Sequence, residues 1–137
     1  VVDKFIGDGL MAVFGLDAEH GADRAVRAAR EMLAAVGDLA PALSRPIAIG
    51  IGVHSGDVIA GSIGSEERLE FTFIGDAVNT AARLESLSKD LGTPLVVSAA
   101  TRAELTEPTL AAALHALGAH AVKGKRRMVE VYGLPAP

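Results

Sequence analysis

Phe71-Thr72-Phe73-Ile74-Gly75-Asp76-Ala77-Val78-Asn79-Thr80-Ala81-Ala82-Arg83-Leu84-Glu85 begins as a β-type run and finishes as a helix, with Gly75-Asp76 at the changeover. A strand over Leu69 to Ile74 and a helix from Ala77 to about Asp90 follow from it, with Asp76 placed to cap the helix N-terminus. Asn79 and Arg83 stand four residues apart, so they project from one helical face in its first two turns, near the positive end of the macrodipole. An amide donor and a planar, bidentate guanidinium pointing the same way can stabilise charge that develops on a phosphoryl group. The ordinary alternative is a capped surface helix with Arg83 paired to a nearby acid.

Working outward, Val1 to Ile6 and Leu10 to Phe14 are β-type runs separated by Gly7-Asp8-Gly9, a tight-hairpin signal that puts Asp8 at a turn tip. Apolar residues at Ala22, Val26, Ala29, Leu33 and Val36 mark an amphipathic helix to Leu39, with Pro41 and Pro46 at its exit. Ile47 to Val53 and Val58 to Ile63 read as a second hairpin around Ser55-Gly56-Asp57, a glycine-rich stretch suited to close backbone approach. Beyond the central helix, Gly92 and Pro94 act as stops, Leu95 to Ser98 reads as a strand, and Ala99 to Leu105 as a short helix entered through Ser98. Leu114 to Val122 and Met128 to Tyr132 form a last hairpin, while the Ala-rich Leu110 to Leu114 is ambiguous. Hairpins interleaved with helices, and no internal repeat, predict one α+β sandwich domain.

Composition narrows the function classes. With 137 residues, half of them apolar and 22% charged, the chain suits one folded domain. A net charge of −4 argues against a general nucleic-acid binder, which needs a basic face, though a small anion needs only a few local cations. No apolar run approaches the roughly 20 residues of a membrane span, and no start resembles a signal peptide, so no membrane contact is expected from this segment. Absence of cysteine excludes disulfides and thiolate metal sites and favours a cytoplasmic setting.

Other candidates carry weaker signals when taken singly. Asp8 at a hairpin tip has room for a hard cation such as Mg²⁺, although an Asp-Gly turn needs no metal. Lys4 alone is an edge-strand lysine. Lys123, Lys125, Arg126 and Arg127 put four cations within five residues, enough for a triphosphate tail and equally for a solvated turn. His20, His54, His115 and His120 lack the spacing of a helical two-histidine zinc site.

Taken in order, DKFIGDGLMAVFG (3–15), GIGVHSGDVIAGSIG (50–64), FTFIGDAVNTAARLE (71–85) and VKGK (122–125) resemble class III adenylyl and guanylyl cyclases over nearly the whole chain. The resemblance implies the ferredoxin-like α/β sandwich of that family, with an antiparallel sheet and helices packed on one face. It also implies a head-to-tail homodimer with each active site at the interface between two domains. Asp8 would be one of two aspartates holding two Mg²⁺ or Mn²⁺ ions. Lys4 and Thr72 would read the adenine edge from the partner's side. Asn79 would orient the ribose, Arg83 would stabilise the transition state at the α-phosphate, and Lys125 would hold the terminal phosphates. The reaction implied is attack of the ribose 3′-hydroxyl on the α-phosphorus of ATP, giving 3′,5′-cyclic AMP and pyrophosphate in cyclic-nucleotide signalling. Guanine readers of the family carry Glu and a small residue such as Cys where this chain has Lys4 and Thr72, so ATP is the expected substrate.

One element of the pattern has no match. The family's first metal-binding aspartate precedes a glycine-phenylalanine-threonine signature on an earlier strand, expected upstream of Val1. Residues 1–137 are therefore expected to be a partial domain, lacking its N-terminal part and inactive alone. The competing readings are a guanylate cyclase, a catalytically silent regulatory or dimerisation module of the same fold, and a generic ferredoxin-like binding domain. The last explains the elements but not the joint occurrence of Asn79, Arg83 and Lys125.

Overall fold

The structure, a computed structural model, describes residues 2–16, 19–122 and 128–135. β1 (Val2–Ile6) and β2 (Gly9–Ala12) form a hairpin whose two-residue tip is Gly7-Asp8. Gly7 supplies the positive φ, +59°, that such a tight turn needs. α1 (Gly21–Leu39) ends in a 3₁₀ turn at Ala40–Ala42 containing Pro41. β3 (Ile51–Val53) leads through a loop to β4 (Ile59–Ser65) and β5 (Arg68–Ile74), then α2 (Asp76–Leu91), β6 (Leu95–Ser98), α3 (Ala99–Glu104), α4 (Pro108–Ala112), β7 (His115–Ala121) and β8 (Met128–Gly133).

The core is built on a four-stranded sheet in the order β3-β6-β8-β7. Successive residues of β6 alternate between its faces, as the two-residue period of a strand requires. Leu95 and Val97 pack with Val26 and Ala29 of α1 and with Leu110 and Leu114, while Val96 packs with Leu84 of α2, Val122 and Val131. Each face is thus covered by helix, and β6, buried at all four positions, reads as one unbroken apolar run plus Ser98.

The α+β sandwich expected from the sequence is what the structure shows, with differences of detail. The sheet is mixed rather than wholly antiparallel, because β3 pairs with β6 in parallel, and the helices lie on both faces rather than one. A parallel pair requires a long crossover, and the segment carrying α2 supplies it. The expected hairpin between the strands flanking Ser55-Gly56-Asp57 does not form. β4 instead pairs with β5 through the two-residue tip Glu66-Glu67, a tighter closure than the five residues between β3 and β4. Gly75, not Asp76, is the N-cap of α2, and Asp76 sits in the first turn, where its charge still suits the helix dipole. The ambiguous Ala-rich stretch is mostly the short α4 and its exit.

Glycine decides how α2 sits. Ile51 and Val53 face the α1 side, and the intervening Gly52, with Gly50 before it, faces α2. A Cβ on Gly52 would collide with the Glu85 amide nitrogen and the Ala81 carbonyl oxygen, and one on Gly50 with the Ser88 hydroxyl. The helix backbone therefore lies directly on the strand backbone.

A second fastening was not visible in the sequence. Asp23, in the first turn of α1 and almost wholly buried, accepts hydrogen bonds from the Thr106 amide (2.9 Å), the Thr106 hydroxyl (2.6 Å) and the Glu107 amide (3.1 Å), tying α1 to the connection between α3 and α4. The Thr106 hydroxyl is the largest cause holding the Asp23 carboxyl below its usual range. Burial opposes it, and the Thr106 amide, His20 and Arg27 add to it.

Two outcomes are expected. Gly52→Ala should cost about 2–3 kcal/mol, because the added carbon meets backbone rather than a side chain that can turn away; a denaturation midpoint equal to the parent's would show that α2 can shift freely. The ionised Asp23 is favoured by folding, so its contribution is fully present above the unfolded aspartate value of about 3.9 and is lost as pH falls through the lower folded value. Asp23→Asn should lower Tm by several degrees at pH 7, and the gap to the parent should narrow as the solution is brought toward about pH 3. A gap constant with pH would exclude this role for the carboxylate.

Candidate functional site

α2 buries Ala77, Thr80, Leu84 and Ser88, and this fixes which side faces out. Asn79 and Arg83 are both exposed, one turn apart at the start of the helix. Neither side chain has a hydrogen-bond or ion-pair partner among the described residues, so the ordinary alternative, Arg83 paired to a nearby acid, is not seen there. The start of α2 is held by Gly75, whose φ of +154° strongly favours glycine and where an added Cβ would stand 3.0 Å from the Asp57 carbonyl oxygen. Next to it, the Cβ of Ala77 lies 2.9 Å from where a side chain on Gly56 would begin.

Arg83 lines a shallow depression with Ser86, Leu87, Asp90, Ala121 and Val122. Val122, which lines it, immediately precedes Lys123 in the sequence. Lys125 itself lies outside the described residues.

Asp8 is exposed at the tip of the first hairpin. Its carboxylate suits a hard divalent cation, but among the described residues no group of three carboxylate or imidazole side chains could hold a metal ion. A divalent ion held by Asp8 would need ligands in addition to it. The histidines do other work: His54 Nδ1 lies 2.8 Å from the Ser98 hydroxyl and His120 Nε2 lies 2.7 Å from the Leu117 carbonyl oxygen.

Lys4 and Thr72 are brought together, and through a residue the sequence reading passed over. The Thr72 hydroxyl donates to Asp3 Oδ2 at 2.9 Å, and Lys4 Nζ lies 3.8 Å from the same oxygen. Asp3 is 5% exposed at its side chain, whereas that of Lys4 is 36% exposed. Neighbours in a regular strand point to opposite faces. Here the register slips between Val2 and Lys4, since Val2 opposes Ala12 and Lys4 opposes Met11, which leaves Asp3 as the extra residue of a bulge. A bulge re-aims a side chain, and this one brings the Asp3 carboxylate to β5. Adjacent Asp and Lys in a strand gave no hint of a bulge; only pairing with β2 reveals it.

No hydrogen bond or ion pair joins Lys4, Asp3 and Thr72 to Asn79, Arg83 or Asp8 among the described residues. Among the described residues the candidates thus fall into three groups with no bond between them: Lys4, Asp3 and Thr72; the exposed pair Asn79 and Arg83; and Asp8 at the hairpin tip.

Residues 3–135 match the family described as the adenylate and guanylate cyclase catalytic domain. An adenylate cyclase of Anabaena cylindrica is 32% identical over 143 residues, covering 98% of this chain and 28% of that protein. A bacterial light-regulated adenylyl cyclase has a solved structure that is 33% identical, with a TM-score of 0.81 over 97% of this chain and 38% of its own. The guanylyl cyclase Cya2 is 27% identical, also with a TM-score of 0.81, over 99% of this chain and 70% of its own. The chain spans 6% to 28% of the length of curated relatives such as these.

Proposed function

The chain belongs to the adenylate and guanylate cyclase catalytic-domain family, and we propose that in the intact protein it forms 3′,5′-cyclic AMP and pyrophosphate from ATP at a site shared with a second copy of the domain. The observation that carries the reading is the pair Asn79 and Arg83, exposed, unpartnered among the described residues and held a turn apart by a helix pressed onto β3. Exposed and bound to no other side chain among the described residues, such a pair is set for a ligand.

In this reading Asn79 fixes the ribose so that the 3′-oxygen lies in line with the α-phosphorus. As the new O3′–P bond forms, the bond to the β-phosphate oxygen breaks, the hydroxyl proton is lost, and pyrophosphate leaves. Arg83 supplies two parallel donors to the oxygens on which negative charge accumulates, so its interaction strengthens toward the transition state. Lys125, in the segment beyond Val122, would hold the terminal phosphates. Asp8 would contribute a ligand to the divalent cations, Mg²⁺ or Mn²⁺, which when bound lower the pKa of the attacking hydroxyl and neutralise phosphate charge. The two domains fit head to tail because the base-reading trio and the phosphate-facing pair are separate within one chain.

ATP is preferred over GTP on the side chains rather than the backbone, since adenylyl and guanylyl relatives superpose on the chain equally well. An ammonium at Lys4 and a hydroxyl at Thr72 suit the N1 and N6 edge of adenine.

In the intact protein, Asn79→Ala and Arg83→Ala should each lower kcat by about 10²–10³-fold while Tm changes little, because both side chains are exposed. Activity within a few-fold of the parent in both variants would end the proposal. Lys4→Glu combined with Thr72→Cys should move the preference from ATP toward GTP in a direct comparison of kcat/KM. If both rates simply fall together, these residues do not read the base.

A further inference from the structure

We propose that Asp3 is a specificity-determining positioning residue, which selects adenine by fixing the direction of the Thr72 hydroxyl; this rests on the base-reading role proposed above for Lys4 and Thr72. A threonine hydroxyl has one proton and two lone pairs, so a free one can donate to a base or accept from it. By itself it does not distinguish adenine, whose exocyclic amine donates, from guanine, whose O6 accepts. Here the proton is committed. It points at Asp3 Oδ2, an acceptor-only carboxylate oxygen 2.9 Å away, and Asp3 is 5% exposed, so water competes little for that bond. What remains on the Thr72 oxygen is lone pairs.

Lys4 completes the pattern. Its ammonium has three protons and no lone pair, and Asp3 holds it at 3.8 Å through the same oxygen. One carboxylate thus sets an acceptor at Thr72 and a donor at Lys4, side by side. Adenine presents the complement, an amine at N6 and a lone pair at N1. Guanine presents the reverse, O6 and an N1 proton, so both contacts are mismatched. The bulge in β1 is the device that places the carboxylate there, because without the extra residue the Asp3 side chain would point away from the face that Lys4 uses. Thr72 is only 3% exposed, so a base reaches its oxygen only where a neighbouring side chain gives way.

The alternative is that Asp3 merely fastens the first hairpin to β5. The two differ in what they do to the ratio of substrates. In the intact protein, Asp3→Asn keeps the shape and supplies an amide N–H that donates to the Thr72 oxygen and turns the hydroxyl round; the ATP-to-GTP ratio of kcat/KM should fall about tenfold, the factor carried by one hydrogen bond of ordinary net strength. Thr72→Ser should keep the parent ratio, since the hydroxyl is retained. Thr72→Val should lose most of it, and Asp3→Asn added to Thr72→Val should change the ratio by less than it does in the parent, because the part of its effect carried by the hydroxyl is gone and only the part through Lys4 remains. Asp3→Glu, which keeps an acceptor-only carboxylate, is the second variant at the position and should preserve part of the preference if Asn there prevents folding. Equal loss toward ATP and GTP in the Asp3 variants, with the ratio unchanged, would overturn the inference while leaving the cyclase reading intact. If the parent protein prefers GTP, or cyclises neither nucleotide, the base-reading role fails and this inference fails with it.

Discussion

Backbone-to-backbone contact between α2 and β3 is the constraint on which the rest depends. Most helices stand off a sheet by the thickness of two layers of side chains; at Gly50 and Gly52 one layer is missing, and the Ala81 carbonyl and Glu85 amide of α2 occupy the space where side chains would begin. Closeness of this kind removes rotamer choice from the interface and leaves the helix few ways to slide or turn. The five-residue span from Ala81 to Glu85 that rests on the strand contains Arg83, and Asn79 lies one turn before Arg83. Precision at two exposed side chains therefore comes from glycines on the far side of the helix, and catalytic geometry of this type tolerates little displacement.

The hairpins answer to a different logic. Neither β1-β2 nor β4-β5 pairs with the central sheet, and an isolated hairpin is marginal in water. They meet each other through the Thr72–Asp3 bond, and both carry exposed apolar side chains, among them Phe5 at 76% and Ile59 at 71% exposure. The parts of the chain proposed to read a base and bind an ion thus lie on hairpins outside the central sheet, while the pair proposed to face phosphate lies on the helix packed directly on it. Such a division suits a site assembled between domains, where binding energy can order the hairpins.

How much of this was legible beforehand follows from the range of each interaction. Local signals carried α1, α2, β6, the Ser98 cap that accepts from the Thr101 amide, and both the first and last hairpins. The pairing Asn79–Arg83 was legible because the two share one helix and one face. What was missed is long-range. The partner of β3 lies 44 residues on, from Ile51 to Leu95, and nothing near Gly56 announces that β4 will turn the other way. Glycine near the second strand pair did suggest close backbone approach, and the structure places the tightest approaches at Gly50 and Gly52, with a lesser one at Gly56. Asp23 and Asp3 were invisible for the same reason: their partners, Thr106 and Thr72, are 83 and 69 residues away.

Base selection shows why residue identity is not enough. A lysine and a threonine name two groups with hydrogen-bonding capacity, but a hydroxyl is symmetric between donor and acceptor until a third group takes one role from it. The backbone is silent too, since an adenylyl and a guanylyl relative match it with the same TM-score of 0.81. In the proposed selection the deciding quantity would be where one hydroxyl proton points, and that proton points at a buried carboxylate displaced by a single extra residue in β1. Discrimination built this way would be economical in contacts: one oxygen touches both proposed readers, so a mismatch against guanine would arise at both atoms together. It is also coupled, because Lys4 and Thr72 share that oxygen and a change at either alters the field felt by the other. Effects of substitutions within the trio are then expected to be non-additive, whereas Asn79 and Arg83, with no bond to the trio among the described residues, should behave independently of it within one chain.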